Sequence, residues 1–214
     1  MVDILLVRHG ETRWNREEIF RGRSDIPLNE FGRRQAEALG KSLLKWNLKE
    51  PLFISGPLSR AYETAYIAAS AFNREENIIK EDGFNDIRFG EWEGKTLAQV
   101  EENYSELYAL WKKTPGKVNF PGGENLDTVA DRAEKTIYRL ARGNPERSKI
   151  IVSHRAVIKA LLCRLLGLGS DSFWKLGQGT ACINELKFTG SEFILIKLND
   201  TCHLQLLGED IKDF

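Results

Sequence analysis

Leu5-Leu6-Val7-Arg8-His9-Gly10-Glu11-Thr12-Arg13-Trp14-Asn15 is the stretch whose reading decides the fold. An apolar run beginning at Val2 stops abruptly at Arg8-His9-Gly10. Val2 to Val7 reads as a buried strand, interrupted only by Asp3. A strand ending in arginine, histidine and glycine delivers two chemically capable side chains to the carboxyl edge of a sheet. That edge is where ligands bind in open α/β sheets. Histidine can serve there as a nucleophile, and arginine can hold a phosphate beside it.

Working outward, residues 8 to 28 read as a long polar loop, in which Arg8, Arg13, Arg16, Arg21 and Arg23 face Glu11, Glu17, Glu18 and Asp25. A loop of that length inside a compact domain is usually functional. Asn29 suits an N-cap for a helix to about Trp46. Leu52 to Ser55 is a second strand, broken by Gly56-Pro57, and a helix follows from about Leu58 to Ala71. Ile78-Ile79-Lys80 is a short third strand. Thr96 and Gln99 form a capping-box pair for another helix.

A long amphipathic helix is expected from Leu126 to about Arg142, and a fourth strand from Lys149 to Val152, ending at Ser153-His154. The helix after it runs from about Ala156 to Leu166. Residues 181–187 and 193–197 look like two late strands joined as a hairpin. Strands alternating with helices predict a three-layer α/β/α fold with a mostly parallel sheet. The expectation is one domain over 1–214, with 84–125 as an insertion or lid over the site.

Composition excludes several classes of function. The 31 basic residues balance the 31 acidic ones, so no global field recruits nucleic acid or an anionic membrane. No apolar run reaches the roughly 20 residues needed to span a bilayer. The start of the chain lacks a signal-peptide layout. Cys163, Cys182 and Cys202 give neither a disulfide framework nor a metal-ligand spacing, and Cys163 reads as a small core hydrophobe. The chain reads as cytoplasmic, with no cofactor and no metal.

Three strand ends then carry reactive side chains to one edge: Arg8-His9, Ser55 with Arg60 on the next helix, and Ser153-His154. Two histidines and two arginines make a cationic pocket, and a phosphoryl group with its several equatorial oxygens suits it. Four ordered segments carry a resemblance: Leu6 to Asn15, Ser55 to Ala65, Phe89-Gly90-Glu91-Trp92-Glu93-Gly94, and Val152-Ser153-His154. In them the chain resembles the histidine phosphatase superfamily, also called phosphoglycerate mutase-like.

The resemblance implies the phosphoglycerate mutase-like fold and metal-independent hydrolysis of a small phosphorylated metabolite. His9 becomes the nucleophile, and Arg8, Arg60 and His154 the phosphate clamp. Asn15 would be a further pocket donor, with a turn cap as the other reading. Arg21-Gly22 would line the substrate entrance. The family's acid falls on Asp86, an aspartate where glutamate is usual, with Glu91 as the fallback. Arg155 replaces a usual glycine and either adds charge near the pocket or points away.

The phosphatase branch offers α-ribazole phosphate, phosphoserine and sugar phosphates as substrates. A mutase is the alternative, though mutases of this type resemble longer chains. A non-catalytic phospho-ligand binding module is the other. The resemblance also admits a homodimer. Phe89 and Trp92 read as packing residues. Tyr104, Tyr108, Trp111 and Phe120 suit core packing or a substrate lid, and His203 lies in a tail that either folds over the site or stays clear of it.

Overall fold

A computed structural model describes residues 1–208 of the chain. Strands β1 (Val2–Arg8), β2 (Leu52–Ser55), β3 (Ile79–Lys80), β4 (Lys149–Ser153), β5 (Ile183–Phe188) and β6 (Phe193–Asp200) form one sheet in the order β3-β2-β4-β1-β5-β6. The helices are α1 (Arg13–Arg16), α2 (Glu30–Leu43), α3 (Ser59–Ser70), α4 (Leu97–Asn103), α5 (Ser105–Lys113), α6 (Leu126–Gly143) and α7 (Arg155–Leu165). β3, β2, β4 and β1 pair in parallel. β5 runs antiparallel to β1, and β6 antiparallel to β5. The late hairpin therefore extends the sheet on the far side of β1, and the sheet is mostly but not wholly parallel.

Side-chain alternation along each strand sorts the core into two layers. Leu5, Val7, Phe53, Ile150 and Val152 pack with Leu39 and Leu43 of α2 and with Ala61, Ala65 and Ala68 of α3. Ile4, Leu6, Ile54 and Ile151 face the other way, onto Val129, Ala133 and Ile137 of α6 and Val157, Leu161 and Leu162 of α7. Helices thus cover both faces of a nearly continuous apolar sheet, which is the three-layer arrangement expected.

Boundaries differ from expectation where caps decide them. Asn29 accepts from the Gly32 amide at 2.7 Å, but α2 ends at Leu43 rather than Trp46. The Thr96–Gln99 capping box forms as expected. α7 starts at Arg155, directly after His154, one residue sooner than the apolar pattern suggests. Residues 8–28 are not plain loop: they hold α1 and two isolated bridges, Thr12 to Leu28 and Ile19 to Thr96. The Glu11 carboxylate inside that segment accepts from Arg16 Nε at 2.5 Å and Asn29 Nδ2 at 2.7 Å, closing the segment on the start of α2.

Residues 84–125 carry α4 and α5 and share an aromatic core with the start of the chain. Trp92 is fully buried, with Phe20 and Phe120 meeting it edge-on at 5.1 and 5.0 Å. Gly90 makes this turn possible. Its φ is +57°, and a Cβ there would stand 1.9 Å from the Pro121 carbonyl oxygen. Trp92→Ala is expected to cost about 3–5 kcal/mol in urea unfolding, because the cavity it leaves cannot collapse around so many rings. A loss below about 1 kcal/mol would mean that this cluster does not hold the segment in place.

Candidate active site

β1 and β4 are neighbours in register, Val7 opposite Val152 and Arg8 opposite Ser153. The His9 amide continues the ladder to the Ser153 carbonyl at 2.9 Å. The residues just past both strand ends are His9 and His154, and their rings lie 5.2 Å apart. β2 ends alongside, its Gly56 amide donating to the Val152 carbonyl at 2.9 Å, and the first turn of α3 then carries Arg60.

His9 Nδ1 lies 2.6 Å from the Gly10 carbonyl oxygen. A carbonyl only accepts, so Nδ1 carries the proton and Nε2 presents its lone pair. Burial pushes the His9 imidazole well below its usual range, and Arg60, His154, Arg8 and Arg21 push it further. His154 is held low in the same way, by burial first and then by Arg60, Arg21, Arg132 and Arg8.

Arg60 is fully buried. Its Nη1 donates to the Ser24 carbonyl at 2.8 Å, and its Nη2 to the Gly22 carbonyl and to Asp86 Oδ2, each at 2.8 Å. Asp86 Oδ2 also lies 3.4 Å from His154 Nδ1. Arg60 Nε and both ring nitrogens of His154 are buried without a hydrogen-bond partner. Such atoms cost roughly 1–3 kcal/mol each when left unmet. An oxyanion entering between His9, His154 and Arg60 supplies what they lack. Arg8 joins from the strand below, its Nη1 donating to the Gln178 carbonyl.

The backbone around Asp86 is pinned from outside the site. Arg23 Nε and Arg132 Nη2 donate to its carbonyl at 3.1 and 3.0 Å, and Glu124 takes both arginines. A buried amide network supports Arg8 in turn. Gln178 Nε2 donates to Asn184 Oδ1 at 2.7 Å, and Asn184 Nδ2 donates to the Leu6 carbonyl at 3.0 Å. Gln35 bridges the Glu11 amide and the Thr180 hydroxyl, both at 2.8 Å. Sequence reasoning missed Arg23, Arg132, Glu124, Gln178, Asn184 and Gln35 as supports of the site. The amphipathic pattern of α6 shows Arg132 only as a polar-face residue.

The remaining candidates separate clearly. Arg21 is buried and lines a cavity with Gly22, Asp86 and Arg155, while Ile19, Phe20, Phe89, Trp111, Ala156 and Phe173 supply its apolar wall. Phe89 and Trp111 are therefore both core and wall. Gly22 has φ +51°, a Cβ on it would meet Glu93 Oε1 at 2.1 Å, and its carbonyl holds Arg60. Arg155 stands at the cavity rim, its guanidinium 5.6 Å from the centre of the Trp174 ring.

Asn15 is buried at α1, where its Oδ1 accepts from the Thr12 amide and hydroxyl at 2.9 and 2.8 Å, which is the turn-capping geometry. Glu91 is exposed, accepts from the Tyr104 hydroxyl at 3.1 Å and does not itself line the cavity. His203 belongs to a turn over Cys202–Leu207 that packs on α2, with Arg34, Glu37 and Lys41 around it. Residues 209–214, where a tail over the site would continue, lie outside the described residues. Cys163 is buried in the apolar core, and burial raises its thiol to about 11. Among the described residues no cluster of His, Cys, Asp and Glu is arranged to hold a metal, and no helix is long and apolar enough to cross a membrane.

The chain's three histidines give a pH prediction. His9, His154 and His203 are all held below the usual imidazole value, with burial the largest cause for each. The unfolded chain binds their protons more readily than the folded one does. Stability is therefore fully present above about pH 6.5 and lost as pH falls from there toward the folded values. Urea midpoints at about pH 8, 6.5 and 5 should decline in that order below 6.5. A flat midpoint over that window would contradict neutral buried imidazoles.

Comparison with known proteins agrees with this geometry. A relative from Hydrogenobacter thermophilus, phosphoserine phosphatase 1, is 35% identical over 204 residues, covering 95% of this chain and 95% of its own. Among solved structures, Bacillus stearothermophilus YhfR superposes with a TM-score of 0.88 at 27% identity, covering 96% of this chain and 100% of its own. The alpha-ribazole phosphatase of Shigella flexneri superposes with a TM-score of 0.81 at 26% identity, covering 93% and 96%. The family model for the histidine phosphatase superfamily, branch 1, matches residues 4–201, and the chain belongs to that superfamily.

Proposed function

We propose that this protein is a metal-independent phosphomonoesterase that hydrolyses a small phosphorylated metabolite through a phosphohistidine on His9. One observation carries the reading: a neutral imidazole with its lone pair on Nε2, faced by the buried, unbonded nitrogens of His154 and Arg60. Phosphoryl transfer needs mainly positioning and charge stabilisation, and this set supplies both without a metal.

His9 Nε2 attacks phosphorus in line, and the P–O bond to the alcohol breaks. Asp86 gives its proton to the leaving oxygen. Water then attacks phosphorus, the P–N bond breaks, Asp86 takes the water proton, and His9 returns to its starting form with inorganic phosphate released. Asp86 pairs with Arg60 before substrate enters. A bound phosphate dianion competes for that guanidinium and sets a second anion beside the carboxylate, and a proton between the two relieves the repulsion. Arg8, Arg60 and His154 hold the equatorial oxygens, and Arg21 borders the leaving group.

The relatives named above are a phosphoserine phosphatase and an alpha-ribazole phosphatase, which makes phosphoserine and α-ribazole phosphate the first substrate types to test. We read residues 1–214 as one domain, with 84–125 forming the wall and lid on the leaving-group side. Cys163, Cys182 and Cys202 are free thiols, which suits the cytoplasm. The test is release of inorganic phosphate from a panel of phosphorylated metabolites with EDTA present, alongside trapping of acid-labile phosphate on the protein. Turnover unchanged by EDTA is expected. Activity lost on chelation and regained with a divalent cation would overturn the metal-independent scheme, and interconversion of phosphoglycerates in place of release would mark a mutase.

A further inference from the structure

The Asp86 carboxyl is held partly by groups that the substrate also uses. Its Oδ2 accepts from Arg60 Nη2 at 2.8 Å and lies 3.4 Å from His154 Nδ1. An entering phosphate competes for both. Its Oδ1 accepts from the Ile87 amide at 2.9 Å, a bond within its own stretch of backbone. An aspartate carboxyl stands one methylene from its Cα, so the place of the backbone decides how far the carboxyl reaches. With phosphate bound, the backbone at residue 86 therefore sets the position of the acid.

Two cations hold that backbone. Arg23 Nε and Arg132 Nη2 donate to the Asp86 carbonyl, and Arg132 Nη1 donates to the Gly83 and Asn85 carbonyls at 3.0 and 2.6 Å. Guanidinium groups converging on one oxygen repel each other. Glu124 joins them. Its carboxylate accepts from Arg132 Nε and Nη2 at 3.1 and 3.2 Å, and from Arg23 Nη2 at 3.3 and 3.2 Å. Burial pushes the Arg23 guanidinium below its usual range, Glu124 offsets this, and Arg132 adds to it. Glu124 Oε2 also accepts from the Arg88 amide at 2.9 Å, while the Glu124 amide donates to the Arg88 carbonyl at 2.9 Å. One side chain thus fastens both arginines to the segment that carries Asp86.

We infer that Glu124 is a positioning residue for proton donation by Asp86. It keeps Arg23 and Arg132 together on the residue 86 carbonyl, and through them fixes the reach of the carboxyl toward the leaving oxygen. Glu124 does not itself line the cavity. This rests on the phosphomonoesterase reading above, with Asp86 as the acid, and deepens it by naming what places that acid.

The test compares kcat/KM for phenyl phosphate and p-nitrophenyl phosphate. That ratio reports phosphorylation alone, because the first irreversible step is loss of the phenol. The phenyl ester needs the proton more, since its leaving group is the more basic. Glu124→Gln keeps the shape and removes the charge. It should slow the phenyl ester by about tenfold or more, as displacement of a catalytic group by about 1 Å implies. The nitrophenyl ester should slow by less than about threefold. Inorganic phosphate should bind as it does to the wild type, because Arg8, Arg60 and His154 are untouched. Glu124→Asp should restore part of the phenyl ester rate. In an Asp86→Asn background, Glu124→Gln should add no further contrast between the esters. Should Glu124→Gln show no cooperative urea transition, Arg23→Met carries the same comparison, since it removes one of the two donors to the carbonyl.

Equal slowing of both esters, no slowing of either, or a contrast that persists in the Asp86→Asn background overturns the inference and leaves the phosphatase reading intact. An Asp86→Asn variant that slows both esters alike removes Asp86 as the acid, and this inference with it. Phosphate release from neither ester by the wild type overturns the phosphatase reading itself.

Discussion

His9→Ala is expected to remove phosphomonoester turnover, by roughly 10⁴-fold or more, because no other group among the described residues is placed to accept the phosphoryl group. His154 does not substitute for it. Its Nδ1 faces Asp86 at 3.4 Å, and it has no carbonyl partner to fix a tautomer as Gly10 does for His9. Loss of activity by itself would not distinguish a missing nucleophile from a damaged fold, so three readouts go together. Acid-labile phosphate trapped on the wild type should be absent from the variant. Binding of inorganic phosphate should persist, because Arg8, Arg60 and His154 remain. The urea midpoint of the variant should also fall less steeply between about pH 6.5 and 5, since one depressed imidazole has gone. A variant turning over within tenfold of the wild type, or still trapping phosphate, would remove His9 from its role.

What the sequence made legible, and what it did not, follows from how local each signal is. Arg8, His9 and His154 are readable because each sits next to the end of an apolar strand, and a parallel sheet brings such ends to one edge. Arg60 is readable because a broken strand and a following helix fix its place on the first turn. The partner of the late hairpin is not readable. Alternation in β5 tells that one face is buried, but nothing in it says that β1 is the neighbour or that the pairing is antiparallel.

Arg21 and Arg23 looked alike within a run of charges in the 8–28 segment. Arg21 is buried in the site, whereas Arg23 ties the Asp86 backbone to Glu124. Only contacts with residues 83–93 and 124–132, far along the chain, separate the two roles. Asn15 shows the opposite limit. Its place in a motif suggests the pocket, and its Oδ1 also accepts from Thr12, so one side chain carries both a turn-capping bond and the proposed pocket role.

Asp86→Asn carries the second large effect, and the argument for it depends on which step is observed. The variant should keep its place, because Arg23 and Arg132 hold the residue 86 carbonyl and an amide oxygen still accepts from Arg60. What it loses is a transferable proton. Phosphorylation of His9 by an alkyl phosphate expels an alkoxide and should slow by about 10²–10⁴-fold. Phosphorylation by p-nitrophenyl phosphate expels a stable phenolate and should slow by less than about tenfold, because little proton transfer is needed. Steady-state rates blur this contrast, since Asp86 also takes the proton of the attacking water in the second step. Rapid mixing separates the steps. The variant should release a burst of nitrophenolate, near one equivalent per enzyme, and then turn over slowly as phosphohistidine accumulates. Equal slowing of alkyl and aryl phosphorylation would show that the carboxyl group serves as a partner for Arg60 and not as the acid. The leaving oxygen would then take its proton from water or from Glu91, the fallback acid, which is exposed and accepts from Tyr104.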